Sequence, residues 1–138
     1  MKTKVSLVLF FSLVVLVLGI RWFHLSSLSE SSSTAMSYLQ DEGLFVLYHE
    51  GEFGPYKITK NNVNEKPYRN YLSVQQYSQE FYMGKEIHHE FFYVSNHPLS
   101  DVYGFGRILV TVIMTDEEVI GAFSVKNGNV YPLLEEVK

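Results

Sequence analysis

The feature that most constrains this chain is an uninterrupted apolar run near its amino terminus, residues 5–20 (VSLVLFFSLVVLVLGI). Lys2 and Lys4 precede it, and a basic start followed by an apolar stretch is the arrangement of an export signal. A helix rising about 1.5 Å per residue makes this run about 24 Å long, or about 28 Å with its extension to Phe23, close to the roughly 30 Å of a hydrocarbon core. The run predicts export and a membrane contact through residues 5–23.

The residues that follow decide whether this leader, residues 1–25, is cleaved or retained. Cleavage requires small residues three and one before the cut, soon after the apolar run. The nearest such pair ends at Ser29, nine residues beyond Ile20. By contrast, Arg21 can extend to the lipid–water interface and Trp22 can lie within it. We expect an uncleaved signal anchor in the cell membrane, single-pass and oriented N-in and C-out by its two lysines; secretion after cleavage is the alternative.

The chain behind the leader divides into two segments by composition. Residues 26–34 (SSLSESSST) are mostly serine, which predicts a flexible tether that packs no core. Residues 35–138 are long enough for one domain of ordinary size. Beyond the leader, eight basic residues face fifteen acidic ones, so the charge balance disfavours a nucleic-acid partner. The chain has no cysteine, which excludes a disulfide framework and a thiolate metal site.

Short helices are predicted in the first half of the domain. Residues 34–42 place apolar side chains on helical spacing after a serine and a threonine that can serve as N-cap, and Gly43 supplies a stop signal. The polar stretch 61–79 predicts one or two further short helices. Within it Pro67 suits a first helical position, and Ser73 begins a pattern that resembles a capping box.

Strands are predicted on both sides of these polar stretches. Residues 44–50 (LFVLYHE) are rich in strand formers, and the glycines and proline of residues 51–55 predict a turn before a possible second strand at 56–59. The remaining predicted strands are residues 86–95, 107–115, 119–125 and 130–134. Asn127 and Gly128 form a two-residue hairpin signal, and the other links are short. The sequence therefore predicts an α+β fold, with short helices packed on an antiparallel β-meander of about four strands.

His88, His89 and Glu90 form the most suggestive polar cluster. Neighbouring side chains of a strand alternate faces, so His88 and Glu90 share one face and His89 points to the other. Two ligands on one strand fall short of a metal set, and the sequence carries no local motif of a hydrolase, a phosphate-binding loop or a zinc helix. We predict no catalytic residue, no metal and no cofactor. A hydrolase using His88 with Glu90 or Asp101 is the weakest of the functions considered.

Aromatic residues give the best indication of a binding surface. Core packing accounts for most aromatic side chains in a domain of this size. Phe91 and Phe92 must nevertheless point to opposite faces of their strand, so either both faces of the sheet are covered or one ring joins a contact surface. The residues predicted to form a possible binding surface for a peptide or a glycan are Tyr77, Phe81, Tyr82, His88, Glu90 and Phe92.

Three short motifs carry a resemblance to a known group of proteins. They are YLQDEG at residues 38–43, YMGK at residues 82–85 and VIG at residues 119–121. In this order, behind an export anchor, they resemble small membrane-anchored extracytoplasmic domains of unknown function from Gram-positive bacteria, over about residues 35–134. The resemblance implies an extracytoplasmic α+β domain and carries over no catalytic residue. More distantly, the helix-plus-meander pattern resembles peptidase-propeptide domains, which implies an inhibitory or sensing role.

These observations lead to one expected function and one main alternative. We expect a membrane-anchored extracytoplasmic interaction or regulatory module of the bacterial cell envelope, which is not an enzyme and whose partner is an unknown envelope protein or peptide. The alternative is a secreted peptide- or peptidase-binding domain that acts as an inhibitor. The mature amino terminus distinguishes the two, because the alternative requires cleavage of the leader.

Overall fold

The computed structural model describes residues 2–101, 106–116 and 118–134. The helices described are α1 (Lys2–Ser26), α2 (Glu30–Asp41), α3 (Tyr68–Leu72) and α4 (Gln79–Tyr82). The strands described are β1 (Phe45–Lys57), β2 (Glu86–Ser95), β3 (Ile108–Thr115), β4 (Glu118–Lys126) and β5 (Asn129–Pro132). They form one five-stranded sheet in the order β1-β2-β3-β4-β5, and each strand is antiparallel to the next. The predicted α+β class with an antiparallel meander is confirmed.

The first strand is longer than predicted. The turn expected at residues 51–55 lies inside β1, where the pairing with β2 slips at bulges and the strand continues to Lys57. Gly54 permits this path, because its φ of 119° disfavours side chains and an added Cβ would lie 2.9 Å from the carbonyl oxygen of Ile87. The glycines therefore bend one strand instead of separating two.

The predicted flexible tether at residues 26–34 is wrong in its extent. Helix α2 begins at Glu30, and Ser29 is its N-cap, accepting a hydrogen bond from the backbone nitrogen of Ser32 at 3.1 Å. Three residues, 27–29, join α1 to α2. The serines begin a helix instead of forming a segment that packs nothing, and Ser32 is buried.

A second correction concerns the predicted capping box at Ser73. The structure places Ser73 at the end of α3, with its backbone nitrogen donating to the carbonyl oxygen of Arg69, and no helix follows within the next four residues. Pro67 precedes α3 as its N-cap residue. The next helix, α4, starts after Ser78 and is a single turn.

Both faces of the sheet are covered. On one face, Ala35 and Leu39 of α2 pack against a core that includes Phe92 and Val110. On the other, α3, α4 and the chain around them supply a second core with Tyr71 and other buried side chains against Ile87, Ile113 and Phe123. The opposite orientation of Phe91 and Phe92 allowed two explanations, that both faces of the sheet are covered or that one ring joins a contact surface. The first is correct, and Phe92 is fully buried.

Candidate functional site

Glu90 is a fully buried carboxylate at the centre of a polar cluster between α2 and the sheet. Its Oε1 accepts a hydrogen bond from Ser31 Oγ at 3.1 Å, and its Oε2 accepts from Ser32 Oγ at 2.8 Å. His49 of β1 approaches from the sheet, with Nε2 at 2.7 Å from Oε2. A buried charge is tolerated when it is paired and hydrogen-bonded, and this carboxylate has three donors.

The direction of the hydrogen bonds follows from the single proton of Ser31. Ser31 Oγ lies 2.6 Å from His88 Nε2 and also contacts Glu90, but a hydroxyl group has one proton to donate. The carboxylate is the stronger acceptor, so we assign the serine proton to Glu90 and a proton on His88 Nε2 to Ser31 Oγ. The result is a relay in which His88 donates to Ser31 and Ser31 donates to Glu90.

This relay differs from a hydrolytic triad although it contains a serine, a histidine and a carboxylate. A triad histidine uses one ring nitrogen to accept the serine proton and the other to donate to the carboxylate. Here the same atom, His88 Nε2, faces both Ser31 and Glu90, the latter at 3.8 Å. Asp101, the other carboxylate considered from the sequence, pairs with Lys126 at 2.6 Å, at the opposite end of the sheet from His88.

The histidines and the carboxylate of the Glu90 cluster are residue types that can also bind a metal ion. In the ranges that the structure describes, no group of three or more His, Asp or Glu side chains has the arrangement to hold a metal ion. The short contact between His49 and Glu90 is instead a charge-assisted hydrogen bond, and the His49 ring packs 4.9 Å from that of Phe92. The arrangement attaches the first turn of α2 to β1 and β2.

His89 lies on the opposite face of β2 in an aromatic cage. Its Nε2 is 2.6 Å from Tyr56 Oη, which also contacts Tyr71 Oη, and the Tyr71 ring meets the imidazole edge-on at 5.0 Å. Burial, and then the neighbouring His88, lower the pKa of His89 to about 4, so His89 is neutral at pH 7. Burial raises the pKa of both tyrosines well above the usual value. The prediction that His88 and His89 point to opposite faces of their strand is confirmed.

Three members of the Glu90 cluster were missed from the sequence: Ser31, Ser32 and His49. The composition of the segment predicts a tether for the two serines. A local signal could have found the helix start, because Ser29 and Ser32 are three residues apart, the separation between an N-cap side chain and the backbone nitrogen that donates to it. His49 lies in a predicted strand, but its pairing with Phe92 across β1 and β2 follows from a bulged register that the sequence does not reveal.

The six residues of the predicted binding surface do not form one surface. Tyr77 is 56% exposed and stacks on Phe81 with the ring centroids 4.2 Å apart, while Tyr82 beside them is buried. These three lie on the face covered by α3 and α4. His88, Glu90 and Phe92 lie on the α2 face, where Glu90 and Phe92 are fully buried. Of the six side chains, Tyr77 is the exposed one.

Tyr77 borders a surface cleft of about 390 Å³ between α2, the segment after α3, and strands β4 and β5. The cleft combines the carboxylate of Glu42 with phenol, amide and apolar groups, including Leu134, which is 41% exposed. Gly121 lies in its floor, where an added Cβ would lie 2.5 Å from Gln75 Oε1 and the Gln75 amide would have to shift. Gln75 is fixed there by hydrogen bonds from Nε2 to the carbonyl oxygens of Tyr71 and Ala122, at 3.2 and 3.1 Å.

Comparisons with known proteins add no family: the chain matches no family model, and no curated protein and no solved structure matches it significantly. The resemblance to membrane-anchored domains of Gram-positive bacteria therefore stays a prediction.

Proposed function

We propose that this chain is a membrane-anchored interaction module whose domain lies outside the cytoplasm and binds a peptide segment of an envelope partner. The observation that carries the proposal is the span Lys4–His24 of α1, in which a stretch of 18 residues has a mean hydropathy of 2.4 and no buried residue. A solvent-exposed apolar helix of this length requires a nonpolar environment, and a bilayer provides one.

The cleft beside Tyr77 is the proposed peptide site. Tyrosine is well suited to protein interfaces, because its ring supplies contact area and its hydroxyl a hydrogen bond at little cost in entropy. Leu134 offers an apolar contact and Glu42 a negative charge. Burial, and then the charge of Glu42, raise the pKa of Tyr38. The segment that fits this chemistry is an extended peptide with apolar side chains and at least one Lys or Arg.

The polar cluster around Glu90 supports a binding function over a hydrolytic one. The assigned relay commits the proton of Ser31 to Glu90, so His88 has no free lone pair on Nε2 to act as a base toward that serine. Its place between α2 and the sheet fits the task of holding the domain together directly behind the membrane helix.

Photo-cross-linking in intact membranes tests the peptide site. A photoreactive phenylalanine analogue replaces Tyr77 in one variant and Phe53 in the control, since these side chains are 56% and 57% exposed and Phe53 is outside the cleft. We expect a partner to be captured from position 77 and not from position 53. A further change, Leu134→Asp, should reduce capture from position 77. Equal capture from both positions would contradict the cleft as the site.

Intact-mass measurement of the chain from the membrane fraction tests the anchor separately. The proposal requires a mature protein that retains α1. A mature chain beginning near Glu30 or Met36 and recovered from the medium would favour the secreted peptide- or peptidase-binding alternative. Such cleavage would also remove Ser29, the N-cap of α2, and with it the hydrogen bonds that Ser29 makes to Ser32 and Ser33 in the first turn.

A further inference from the structure

Helix α1 is attached to the domain at the start of β1. Arg21 Nη2 donates a hydrogen bond of 2.5 Å to the carbonyl oxygen of Val46, and the same guanidinium lies 4.4 Å from the ring centroid of Phe45. One turn further along α1, His24 Nε2 lies 3.3 Å from the carbonyl oxygen of His49. These contacts occupy edge positions of β1, so the last turns of α1 cover the first part of an otherwise open strand edge.

The two contacts also give the direction of β1 relative to α1. A step of three residues along the helix, from Arg21 to His24, corresponds to a step of three along the strand, from Val46 to His49. The two elements therefore advance in the same sense, and the start of β1 is its end nearest to the apolar span. Phe45 lies level with Arg21. Phe45 pairs with Ser95 and Phe53 with His89, so Phe53 lies six residues of β2 further along, or about 20 Å at roughly 3.3 Å per residue.

The side chains at this level have the composition of a membrane interface. Trp22 is 74% exposed, Phe23 71% and Phe45 50%. Aromatic rings concentrate where hydrocarbon meets headgroups, and an arginine at the end of an apolar span extends its charge to the same level. Phe45 on β1 is thus an aromatic side chain of the domain that lies near the level of Trp22 and Phe23 of α1.

We propose that the end of the domain where β1 begins rests on the bilayer from which α1 emerges, with the Phe45 ring in the lipid–water interface. This inference rests on the proposed membrane anchorage by α1. The occupant of the surface is lipid, because α1 passes into lipid directly beside it and Arg21 holds Phe45 at that height. The domain is thereby fixed in orientation, with Phe53 directed away from the membrane.

Depth-dependent fluorescence quenching tests the contact in the full chain. Trp22 is the single tryptophan of the sequence, so it reports on the anchor without labelling. Two double variants move the tryptophan to the domain. The test variant combines Trp22→Phe with Phe45→Trp. The matched control combines Trp22→Phe with Phe53→Trp, because the side chain of Phe53 is also about half exposed. Each protein is reconstituted in phosphatidylcholine vesicles that contain lipid brominated near the top of the acyl chains.

We expect brominated lipid to remove a comparable fraction of the emission of native Trp22 and of the Phe45→Trp variant, and to leave the Phe53→Trp control unchanged. Adding Arg21→Ala to the Phe45→Trp variant should reduce its quenching, because the link to Val46 is lost. The contact uses aromatic rings and no basic patch, so quenching in phosphatidylcholine should not increase when anionic lipid is added.

The outcomes separate the two proposals. Quenching of Trp22 without quenching of the Phe45→Trp variant would overturn the docking of the domain and leave the anchor intact. Absence of quenching at Trp22 would overturn both. Quenching by aqueous acrylamide completes the test: protection of the Phe45→Trp variant from acrylamide without quenching by brominated lipid would mean that a second copy of the chain covers Phe45, which would also overturn the lipid contact.

Discussion

Ser32 of α2 donates a hydrogen bond of 2.8 Å from its Oγ to Oε2 of Glu90, the buried carboxylate of β2. This contact joins residues 58 positions apart in the sequence, and Ser32 lies three residues after the link that follows the apolar helix α1. The serine-rich segment after α1 is consequently an integral part of the fold.

Replacing Ser32 by alanine should destabilise the domain. The change removes one of three donors to a buried carboxylate, for which a cost of about 1–3 kcal/mol in the free energy of unfolding is expected. Ser33→Ala is the matched control, because Ser33 lies in the same turn of α2 but is exposed, and its effect should stay within about 0.5 kcal/mol. Urea denaturation of the full chain in detergent micelles measures both. Equal effects of the two changes would contradict the buried contact.

The stability of the domain should fall in acid because of His89. Its pKa is about 4 in the fold, against 6.5 for an ordinary histidine, so the unfolded chain binds more protons between these values. The contribution is fully present above about pH 6.5 and is lost as the pH falls toward 4, by up to about 3 kcal/mol. The lowered pKa of buried His97 acts in the same direction.

The variant His89→Phe isolates this contribution, because phenylalanine does not titrate and can occupy the same aromatic cage. We expect the free energy of unfolding of the variant to vary less than that of the native chain between about pH 7 and about pH 4.5. The measurement is urea denaturation at a series of pH values. Identical pH profiles for the two proteins would show that His89 is not buried as a neutral ring.

Gly121→Ala should disturb the floor of the cleft. The new methyl group would meet Gln75 Oε1 at 2.5 Å, so the amide must move and lose its hydrogen bonds to Tyr71 and Ala122. The expected cost is about 1–3 kcal/mol. In a background of Gln75→Ala the same change should cost much less, since the obstacle is gone. A double-mutant cycle by chemical denaturation measures the difference, and additive effects would contradict the contact.

The hairpin between β4 and β5 should depend on Gly128. Asn127 and Gly128 both have positive φ, 52° and 77°, as a two-residue turn of this type requires. Gly128→Ala should cost about 1 kcal/mol, because alanine disfavours this region, whereas Asn127→Gly should change stability by less. Thermal unfolding followed by circular dichroism compares the two variants, and equal loss in both would contradict the assigned turn.

Local patterns in the sequence were sufficient to predict most strands of the sheet. The strand predicted at residues 86–95 coincides with β2, and the Asn127–Gly128 signal marks the observed hairpin. The opposite orientation of His88 and His89 follows from the geometry of any strand, and it holds in the fold. The turn predicted at residues 51–55 was wrong, because a bulged strand and a turn use the same glycines and the choice depends on the partner strand.

The sequence by itself determined the apolar helix, the antiparallel meander and the side of β2 on which each residue lies, because these depend on composition and on the periodicity of neighbouring residues. Only the tertiary structure decided that the serines at the start of α2 bind Glu90 and that Arg21 attaches the apolar helix α1 to the first strand. Those contacts join residues that are distant along the chain, and a hydroxyl group has the same local preference whether it meets water or a buried carboxylate.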